Sequence, residues 1–337
     1  LDRLWARGCE FLGTRFAIMG GAMSWLSERH LVAAISNAGG FGVIACGAME
    51  PSMLDQEIAA TQKRTDKPFG VNLITMHPDL DDLIGVCIAR KVPYVVLAGG
   101  LPRKNAIEKI KESGAKVICF APTLGVANKL IKTCADALVI EGLEAGGHTG
   151  PVSTAVLAQE ILPHVHQVPV FVAGGIGRGE ALVMYLEMGA SGCQLGTRFV
   201  CATESIAHDN FKKAFLQASA RDAVLSVQID PRFPVIPVRA LNNAAAKEFP
   251  TVQASVIERH NRGELGRKEA QLEIEHYWAG ALRKGVIDGD VENGSLMAGQ
   301  SVGMVNQVQA TQEIIDELAD QAVAALGDRE ALGAAGP

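Results

Sequence analysis

The chain has 337 residues, of which 48% are hydrophobic and 20% are charged, and its formal net charge is −6. This length suits one large α/β domain or two ordinary ones, and the composition is that of a globular protein with a sizeable core. The negative charge argues against nucleic acid or an anionic membrane as the main partner, and no apolar run approaches the roughly 18 to 20 residues that span a bilayer.

The seven cysteines are scattered along the chain without a CxxC pair. Isolated thiols of this kind are typical of reduced cysteines that pack as small hydrophobic side chains. The pattern predicts a cytoplasmic protein without a structural zinc site, and we expect no bound metal.

Short apolar runs rich in valine and isoleucine recur up to residue 199, and each is closed by glycine or a turn residue. Continuous apolar runs of this length are typical of strands that are buried on both faces of a parallel sheet. The runs are FAIMGG (16–21), FGVIACG (41–47), FGVNLI (69–74), YVVLAGG (94–100), KVICFA (116–121), ALVIEG (137–142), PVFVAGG (169–175) and CQLGTRF (193–199).

Helical patterns lie between these runs. Ser27 is predicted to cap the start of a helix, and Gly39, Gly114 and Gly189 are predicted to end helices. An apolar stripe with the spacing of one helix face supports a helix between the third and fourth runs. The stripe consists of Leu80, Leu83, Ile84, Cys87 and Ile88.

The starts of consecutive runs lie between 20 and 33 residues apart. Eight strand–helix units at this period predict a (β/α)8 TIM barrel. A doubly wound sheet alternates in the same way, but it usually stops near six strands and carries GxGxxG after its first strand. The first run here continues as MGGAMSW, which lacks that motif. We therefore favour the barrel.

The pattern changes after Phe199. From about residue 205 the chain is more charged and apolar β runs largely disappear, as in ERHNRGELGRKEAQLEIEHYW. We expect a smaller, mostly helical subdomain, residues 205–303, inserted after strand eight over the carboxyl-terminal mouth of the barrel. The amphipathic segment 310–326 is expected to form the last barrel helix. The predicted barrel thus comprises residues 1–204 and 304–330.

Two consecutive strands end in segments with almost no side chains. The seventh strand ends in Gly174-Gly175 and the eighth in Gly196-Thr197. Loops after these two strands form the recurrent phosphate site of the barrel fold, because free backbone amides face the anion there. A single glycine pair more often marks a turn, but two consecutive strands that both end in glycine favour a phosphate ligand.

A phosphate at one rim implies a ligand body that lies across the mouth, and FMN fits this description. Its flavin ring would cover the bare loops after strands one, four and six. Asn72 is a polar side chain near the end of the apolar third strand, and it needs a hydrogen-bond partner there. Either the edge of a flavin ring or a hydrogen-bonding group of the protein core could supply that partner.

His148 lies among glycines in EAGGHTG, residues 144–150, after the sixth strand. A neutral imidazole with a pKa near about 6.5 can take or give a proton at physiological pH. A loop histidine bound to a backbone carbonyl is the alternative, but the glycines and the position at the barrel mouth favour the catalytic role. Glu141 and Glu144 flank the same loop and are expected to orient groups rather than react.

Six further residues are candidates for reactive or anion-binding roles. Arg198 follows the eighth strand and either braces an anion or forms a structural salt bridge. Cys119 and Cys201 have no histidine that the sequence places beside them, so both are expected to pack in the core. His164 lies in a stretch without such surroundings and is interpreted as a surface residue, as are His166 and His208.

The whole chain resembles the nitronate monooxygenase (2-nitropropane dioxygenase) superfamily, which includes the FMN-dependent enoyl-acyl-carrier-protein reductase II. The motifs that carry the resemblance run in order from residue 20 to residue 300. They are GGAMSW, SNAGGFGVI, DKPFGVN, ADALVIEGLEAGGHTG, VPVFVAGGI, GCQLGTRFV and GDVENGSLMAGQ.

The resemblance implies a barrel that carries FMN, with His148 beside the flavin as the catalytic residue. It implies phosphate contacts at Gly174, Gly175, Gly196 and Thr197, and ring or loop contacts at Gly21, Ala22, Met23, Asn72, Ala145, Gly146, Gly147, Ala173 and Gln194. It also suggests a substrate pocket formed by Trp25, Phe120 and Met297. Many relatives have Gln-Gly-Gly-Met where this chain has Gly20-Gly21-Ala22-Met23, so this chain lacks an amide side chain beside the ring.

Two enzymes fit this resemblance. A nitronate monooxygenase would oxidise nitroalkanes or alkyl nitronates with O2, and His148 would act as the base; we favour this activity. An enoyl-acyl-carrier-protein reductase, or a related flavin reductase, would use NADH instead. A non-redox phosphate-binding barrel is the third possibility. The expected partners are thus a small nitronate or enoyl thioester and O2, without nucleic acid or membrane, and a homodimer is compatible.

Overall fold

A computed structural model describes residues 1–47 and 49–334, apart from the side chains at 275, 279, 330 and 332–334. The strands are β1 (Ile18–Gly20), β2 (Gly42–Ala45), β3 (Phe69–Ile74), β4 (Tyr94–Ala98), β5 (Lys116–Phe120), β6 (Ala137–Glu141), β7 (Gly147–His148), β8 (Val170–Ala173), β9 (Gly192–Leu195), β10 (Ala223–Leu225) and β11 (Val238–Leu241).

The helices are α1 (Asp2–Leu12), α2 (Arg29–Asn37), α3 (Pro51–Gln62), α4 (Leu80–Ala89), α5 (Lys104–Glu112), α6 (Leu124–Lys132), α7 (Thr154–Ile161), α8 (Gly179–Glu187), α9 (Asp209–Gln217), α10 (Ala244–Asn261), α11 (Arg267–Val286) and α12 (Thr311–Ala334). Short 3-10 helices span Leu162–His164, Thr197–Phe199, Ala220–Asp222 and Gln300–Met304.

Eight parallel strands follow one another in the order β1, β9, β8, β6, β5, β4, β3, β2. A bridge between Met19 and Phe41 brings the two ends of this sheet together. There the Phe41 N–H donates to the Ile18 carbonyl at 2.9 Å, and the Gly20 N–H donates to the Phe41 carbonyl at 2.8 Å. The predicted (β/α)8 barrel is confirmed, and every apolar run contains one of its strands.

The eighth run is only partly a strand. The strand ends at Leu195, and Thr197–Phe199 forms a 3-10 turn instead. The Phe199 N–H donates to the Gly196 carbonyl at 2.9 Å, so the chain turns away from the sheet at the glycine. The Phe199 N–H and the Gly196 carbonyl, which would bond to a neighbouring strand if β9 were longer, thus bond to each other.

Helix α1 covers the amino-terminal end of the barrel. The Phe11 ring lies 5.8 Å from the Tyr94 ring and 6.2 Å from the Phe171 ring, measured between centroids. The Lys116 ammonium donates to the Phe11 carbonyl at 2.8 Å. This end is therefore filled by aromatic side chains, which leaves the carboxyl-terminal end for ligands.

The start of α2 differs from the prediction. Glu28 caps the helix, because its carboxylate accepts hydrogen bonds from the backbone N–H groups of His30 and Leu31. The Ser27 hydroxyl donates to the Gly21 carbonyl at 2.8 Å and accepts from the Met23 N–H at 2.9 Å. Ser27 therefore holds the loop after β1 rather than the helix.

The predicted helix ends are confirmed. Gly39, Gly114 and Gly189 follow helices with φ values of 88°, 86° and 103°. Side chains rarely adopt this left-handed conformation, which explains the glycines. The predicted stripe on α4 packs inward, since Leu80, Leu83, Ile84 and Cys87 are buried.

The segment after β9 contains an antiparallel sheet that the sequence did not reveal. Strand β10 pairs with β11, and β11 pairs with β7, which carries His148. These strands are two to four residues long, too short to produce an apolar alternation. His148, predicted in the loop after the sixth barrel strand, lies there within the two-residue strand β7.

Two apolar clusters hold the segment after β9. One surrounds Phe211 and Phe215 and includes Leu26 and Val200 from the barrel loops. The other surrounds Phe249 and lies entirely within this segment. Across the described ranges, no helix is long and apolar enough to cross a membrane.

Glycine at position 8 permits the contact between α1 and the barrel. A Cβ atom there would overlap the Ser191 carbonyl oxygen and lie 2.9 Å from the Ala17 Cβ. We expect Gly8→Ala to lower the free energy of unfolding by about 2 kcal/mol, because backbone must move and overpacking outweighs the gain in helix propensity. Denaturant unfolding of the purified variants measures this change.

Gly85→Ala is the matched control, since Gly85 also lies inside a helix and a Cβ atom there has no neighbour within 4 Å. It should raise stability by up to about 1 kcal/mol. Equal stability of the two variants would contradict the described packing of α1.

Candidate active site

The upper layer of the barrel interior is polar. Gly192 faces the Phe171 ring, because a Cβ atom at position 192 would lie 2.9 Å from that ring. Side chains alternate along a strand, so Gln194, two residues later, also projects inward. Ala173 pairs with Gln194, and Glu141 pairs with Ala173. Glu141, Ala173 and Gln194 therefore share the layer directly below the mouth.

Asn72 belongs to the same layer on the opposite side of the barrel. Gly70, two residues earlier, faces the Phe41 ring at 3.1 Å. The Asn72 amide donates to the Val96 carbonyl at 3.1 Å. One donor is thus satisfied within the barrel, and its oxygen accepts no hydrogen bond from the residues that the structure describes.

The loop after β8 presents backbone N–H groups without acceptors. Gly174 and Gly175 have φ values of 99° and 73°. Within residues 1–47 and 49–334, the N–H groups of Gly174, Gly175 and Gly196 donate no hydrogen bond. Side chains are excluded here, because a Cβ atom on Gly174 would lie 2.9 Å from the Thr154 hydroxyl. Three unsatisfied donors at adjacent strand ends are the arrangement that binds phosphate.

Three loops meet beside these amides. The Thr197 hydroxyl accepts from the Gly299 N–H at 2.9 Å. A Cβ atom on Gly146 would lie 2.5 Å from the Gly299 nitrogen. The loop after β6, the turn after β9 and the MAGQ segment thus pack backbone against backbone, which only glycine permits.

The loop after β1 lies on the same rim. The ideal Cβ position of Gly21 is 3.6 Å from the Gln194 side chain, and that of Gly196 is 3.5 Å from the Met23 sulfur. Ala22 is exposed at the mouth. Trp25 has a φ of 68° and lies 5.9 Å from the Arg283 guanidinium, so its ring faces the segment after β9.

His148 is held by the antiparallel sheet rather than by a mobile loop. It pairs with Val238, and its side chain is exposed. The Thr149 N–H donates to the Pro237 carbonyl at 3.0 Å. The Met297 sulfur lies 3.4 Å from the ideal Cβ position of Gly147 and thus beside this strand.

Two charged residues fix the His148 loop. The Glu144 carboxylate accepts from the Thr154 N–H at 2.8 Å and from the Thr154 hydroxyl at 2.7 Å. The Arg239 guanidinium donates from Nε to the Leu143 carbonyl at 3.0 Å and from Nη1 to the Ala223 carbonyl at 2.6 Å. Burial lowers the pKa of Arg239, and Glu144 partly opposes this shift. Sequence reasoning missed Arg239, although it lies in the VRALNN stretch.

Glu141 has the most strongly perturbed carboxyl group at the mouth. Burial raises its pKa to about 8. The residue as a whole is half-buried. Among the described residues, its carboxylate forms no hydrogen bond or ion pair. Burial without a partner thus favours the protonated, neutral form of this carboxyl group.

The remaining predicted residues divide by location. Ala145 is buried within the His148 loop, and Phe120 ends β5 half-buried. Burial raises the pKa of Cys119 to about 12 and that of Cys201 to about 11, so both thiols are inert and pack as expected.

Arg198 forms the salt bridge that was one of its two predicted roles. Its Nη2 donates to the Glu317 carboxylate at 2.7 Å and to the Gln309 side chain at 2.8 Å. Its Nε and Nη1 atoms are buried without an acceptor among the described residues. This contact ties the turn after β9 to α12.

We expect Arg239→Met to destabilise the His148 loop, because the Leu143 and Ala223 carbonyls lose their charged donor. The expected loss is about 2 kcal/mol in unfolding free energy, with faster hydrogen exchange over residues 143–148. Thermal unfolding and hydrogen-exchange mass spectrometry measure these effects.

Arg221→Met serves as the control, since Arg221 is exposed on the preceding 3-10 helix. It should change stability by less than about 0.5 kcal/mol. If both variants exchange residues 143–148 at the wild-type rate, Arg239 does not hold the loop.

The chain is similar to proteins of one enzyme family over most of its length. The family model for nitronate monooxygenase matches residues 7–89 and 81–321. A Mycobacterium tuberculosis protein named (3aS,4S,5R,7aS)-5-hydroxy-7a-methyl-1-oxo-octahydro-1H-indene-4-carboxyl-CoA dehydrogenase is 30% identical, over 96% of this chain and 97% of that protein. A probable nitronate monooxygenase of Staphylococcus saprophyticus is 28% identical, over 91% and 95%.

The solved structure of FabK from Thermotoga maritima superposes with a TM-score of 0.86 at 35% identity, and the match covers 97% of this chain and 98% of that one. The barrel and the segment after β9 are both included in this match. The chain therefore belongs to the nitronate monooxygenase family of flavin-dependent oxidoreductases.

Proposed function

We propose that the chain binds FMN across the barrel mouth and oxidises alkyl nitronates or nitroalkanes with O2. One observation carries this proposal: the unpaired N–H groups of Gly174, Gly175 and Gly196 stand on the rim that also carries His148. They supply a phosphate seat beside an exposed imidazole, which is the combination that a flavin oxidoreductase with an acid–base residue needs.

The hydrogen-bonding groups around the mouth fit the phosphate and the ring of FMN. The Thr197 hydroxyl would join the three glycine amides at the phosphate, because its proton remains available while its oxygen accepts from Gly299. Asn72 and Gln194 would meet the flavin from the barrel interior. The contacts that complete the proposed seat come from Gly21, Ala22, Met23, Ala145, Gly146, Gly147 and Ala173.

Bound FMN would supply a two-electron acceptor. His148 would take the α-proton of a neutral nitroalkane at one ring nitrogen and hold it while the substrate is oxidised. The β7–β11 pairing and the Arg239 contact fix the backbone that carries this imidazole. Trp25, Phe120 and Met297 would form the apolar walls of the substrate pocket.

We further propose that residues 205–303 act as a cap over the barrel formed by 1–204 and 304–330. The cluster around Phe211, which joins this segment to Leu26, supports a cap that stays docked. The seven free cysteines support a cytoplasmic location, and a homodimer is compatible with the proposal.

A second candidate function is the NADH-dependent reduction of an enoyl thioester. The 30% identity over nearly the whole chain to a protein named as a carboxyl-CoA dehydrogenase favours a thioester substrate. In this activity NADH would supply the electrons, and His148 would bind the substrate or protonate it.

Anaerobic mixing separates the two activities. Purified protein should be yellow, and propyl nitronate alone should bleach the flavin absorbance if the chain oxidises nitronates. Rapid bleaching by NADH alone, without bleaching by nitronate, would favour the thioester reductase. A colourless protein that does not bind added FMN would contradict both activities.

His148→Ala tests the proposed base. We expect turnover of a neutral nitroalkane to fall by about 10²-fold or more, while the preformed nitronate, which needs no proton removal, is oxidised within about threefold of the wild-type rate. His164→Ala, at an exposed site after α7, is the matched control and should keep both rates. Equal losses with both substrates would show that His148 is not the base.

A further inference from the structure

The barrel mouth contains one carboxyl group that the proposed mechanism does not use. Glu141 is the last residue of β6 and pairs with Ala173, which in turn pairs with Gln194. The three side chains project into the barrel on one level, below the loop that carries His148. Glu141 therefore faces the space that a flavin would cover.

No group in the described part of the chain compensates a charge on Glu141. Its carboxylate has no hydrogen-bond donor and no ion pair there. The nearby charges are already engaged, because Glu144 binds Thr154 and Arg239 binds two carbonyl groups. The other titratable groups on the loops and strands around Glu141 are His148, Cys119 of β5, Cys193 of β9 and Tyr185 of α8.

Burial is the cause of the raised pKa of about 8, with no contribution from these neighbours. A buried carboxyl group without a partner destabilises the fold, since its ionisation is opposed and its hydrogen-bonding capacity is unused. A glutamine or an apolar residue would avoid this cost. The carboxyl group is therefore best explained by a ligand.

We propose that Glu141 is a positioning residue that presents a neutral carboxyl group to the flavin in the mouth, and that FMN binds tightly only in this protonation state. This inference rests on the proposed function. A neutral carboxyl group offers one donor and one acceptor to the ring. An ionised one would place a second negative charge near the phosphate-bearing cofactor in a poorly hydrated site, where repulsion is strong.

The dissociation constant of FMN as a function of pH tests this inference. We expect it to stay nearly constant from pH 7 to about 7.5 and to rise about tenfold by pH 9 in the wild-type protein, because Glu141 must regain a proton before FMN binds. Burial raises the pKa of Cys46, Cys87 and Cys119 to about 12, so these three thiols do not titrate in this window.

Glu141→Gln should remove this dependence. The amide keeps a donor and an acceptor, so we expect FMN binding within about threefold of wild type at pH 7 and a change of less than about twofold up to pH 9. Glu112→Gln, which makes the same chemical change on the exposed side of α5, should keep the wild-type profile.

A second measurement uses the apoprotein. The pKa of Glu141 is higher in the folded protein than the value of about 4.3 in the unfolded chain. The wild-type protein therefore loses free energy of unfolding relative to the glutamine variant as pH rises from about 5 to 8. The unfolding temperature of Glu141→Gln should therefore exceed that of wild type by a margin that grows over this range.

The outcomes separate the two proposals. FMN binding with the same pH dependence in wild type and Glu141→Gln would overturn this inference alone. A wild-type dissociation constant that is constant from pH 7 to 9 would do the same, even if the variant fails to fold. Absence of FMN binding at pH 7 would overturn the proposed function and this inference together.

Discussion

Backbone N–H groups that the barrel cannot satisfy itself determine the rest of this site. The strands β8 and β9 end in glycines, and the amides of Gly174, Gly175 and Gly196 are left without acceptors in the described structure. Unpaired donors of this kind are costly unless an anion or water binds them. The neighbouring loops can approach them only because Gly146 and Gly299 carry no side chain. The seat proposed for the cofactor phosphate is thus a consequence of chain geometry rather than of positive side chains, which agrees with a net charge of −6.

The imidazole of His148, which we propose as the base, depends on a different set of contacts. His148 lies in a connection between a barrel strand and a helix. Because β7 pairs with β11, residues from the segment after β9 fix the backbone that carries the imidazole. Arg239 reinforces this link by donating to carbonyls on both sides of it. The proposed cofactor seat and His148 both belong to the barrel part of the chain, but the strand that pairs with His148 comes from the segment after β9. That segment is therefore needed for the proposed chemistry as well as for substrate enclosure. Glu141 lies in the layer below this loop, and burial raises the pKa of its carboxyl group.

The barrel was predictable because its signals are local. Each strand is a continuous apolar run, and Gly39, Gly114 and Gly189 end helices through a conformation that one residue determines. The glycine clusters likewise predicted where the strand ends would leave backbone N–H groups without acceptors. The features that the sequence did not predict depend on hydrogen bonds outside the local patterns. Arg239 donates to the carbonyl of Leu143, 96 positions earlier in the sequence. Ser27 holds the loop that contains Gly21 instead of capping α2. The raised pKa of Glu141 follows from the ladder register, which no local pattern encodes.

The most direct test of this account is hydrogen exchange at single backbone amides with and without FMN. Saturating FMN should slow exchange at Gly174, Gly175 and Gly196 by at least about tenfold, because each amide gains an acceptor. The Gly114 amide, which already donates to Lys111 at 2.9 Å, should be unaffected. Bound FMN that leaves the three glycine amides exchanging at their original rate would contradict the proposed phosphate seat.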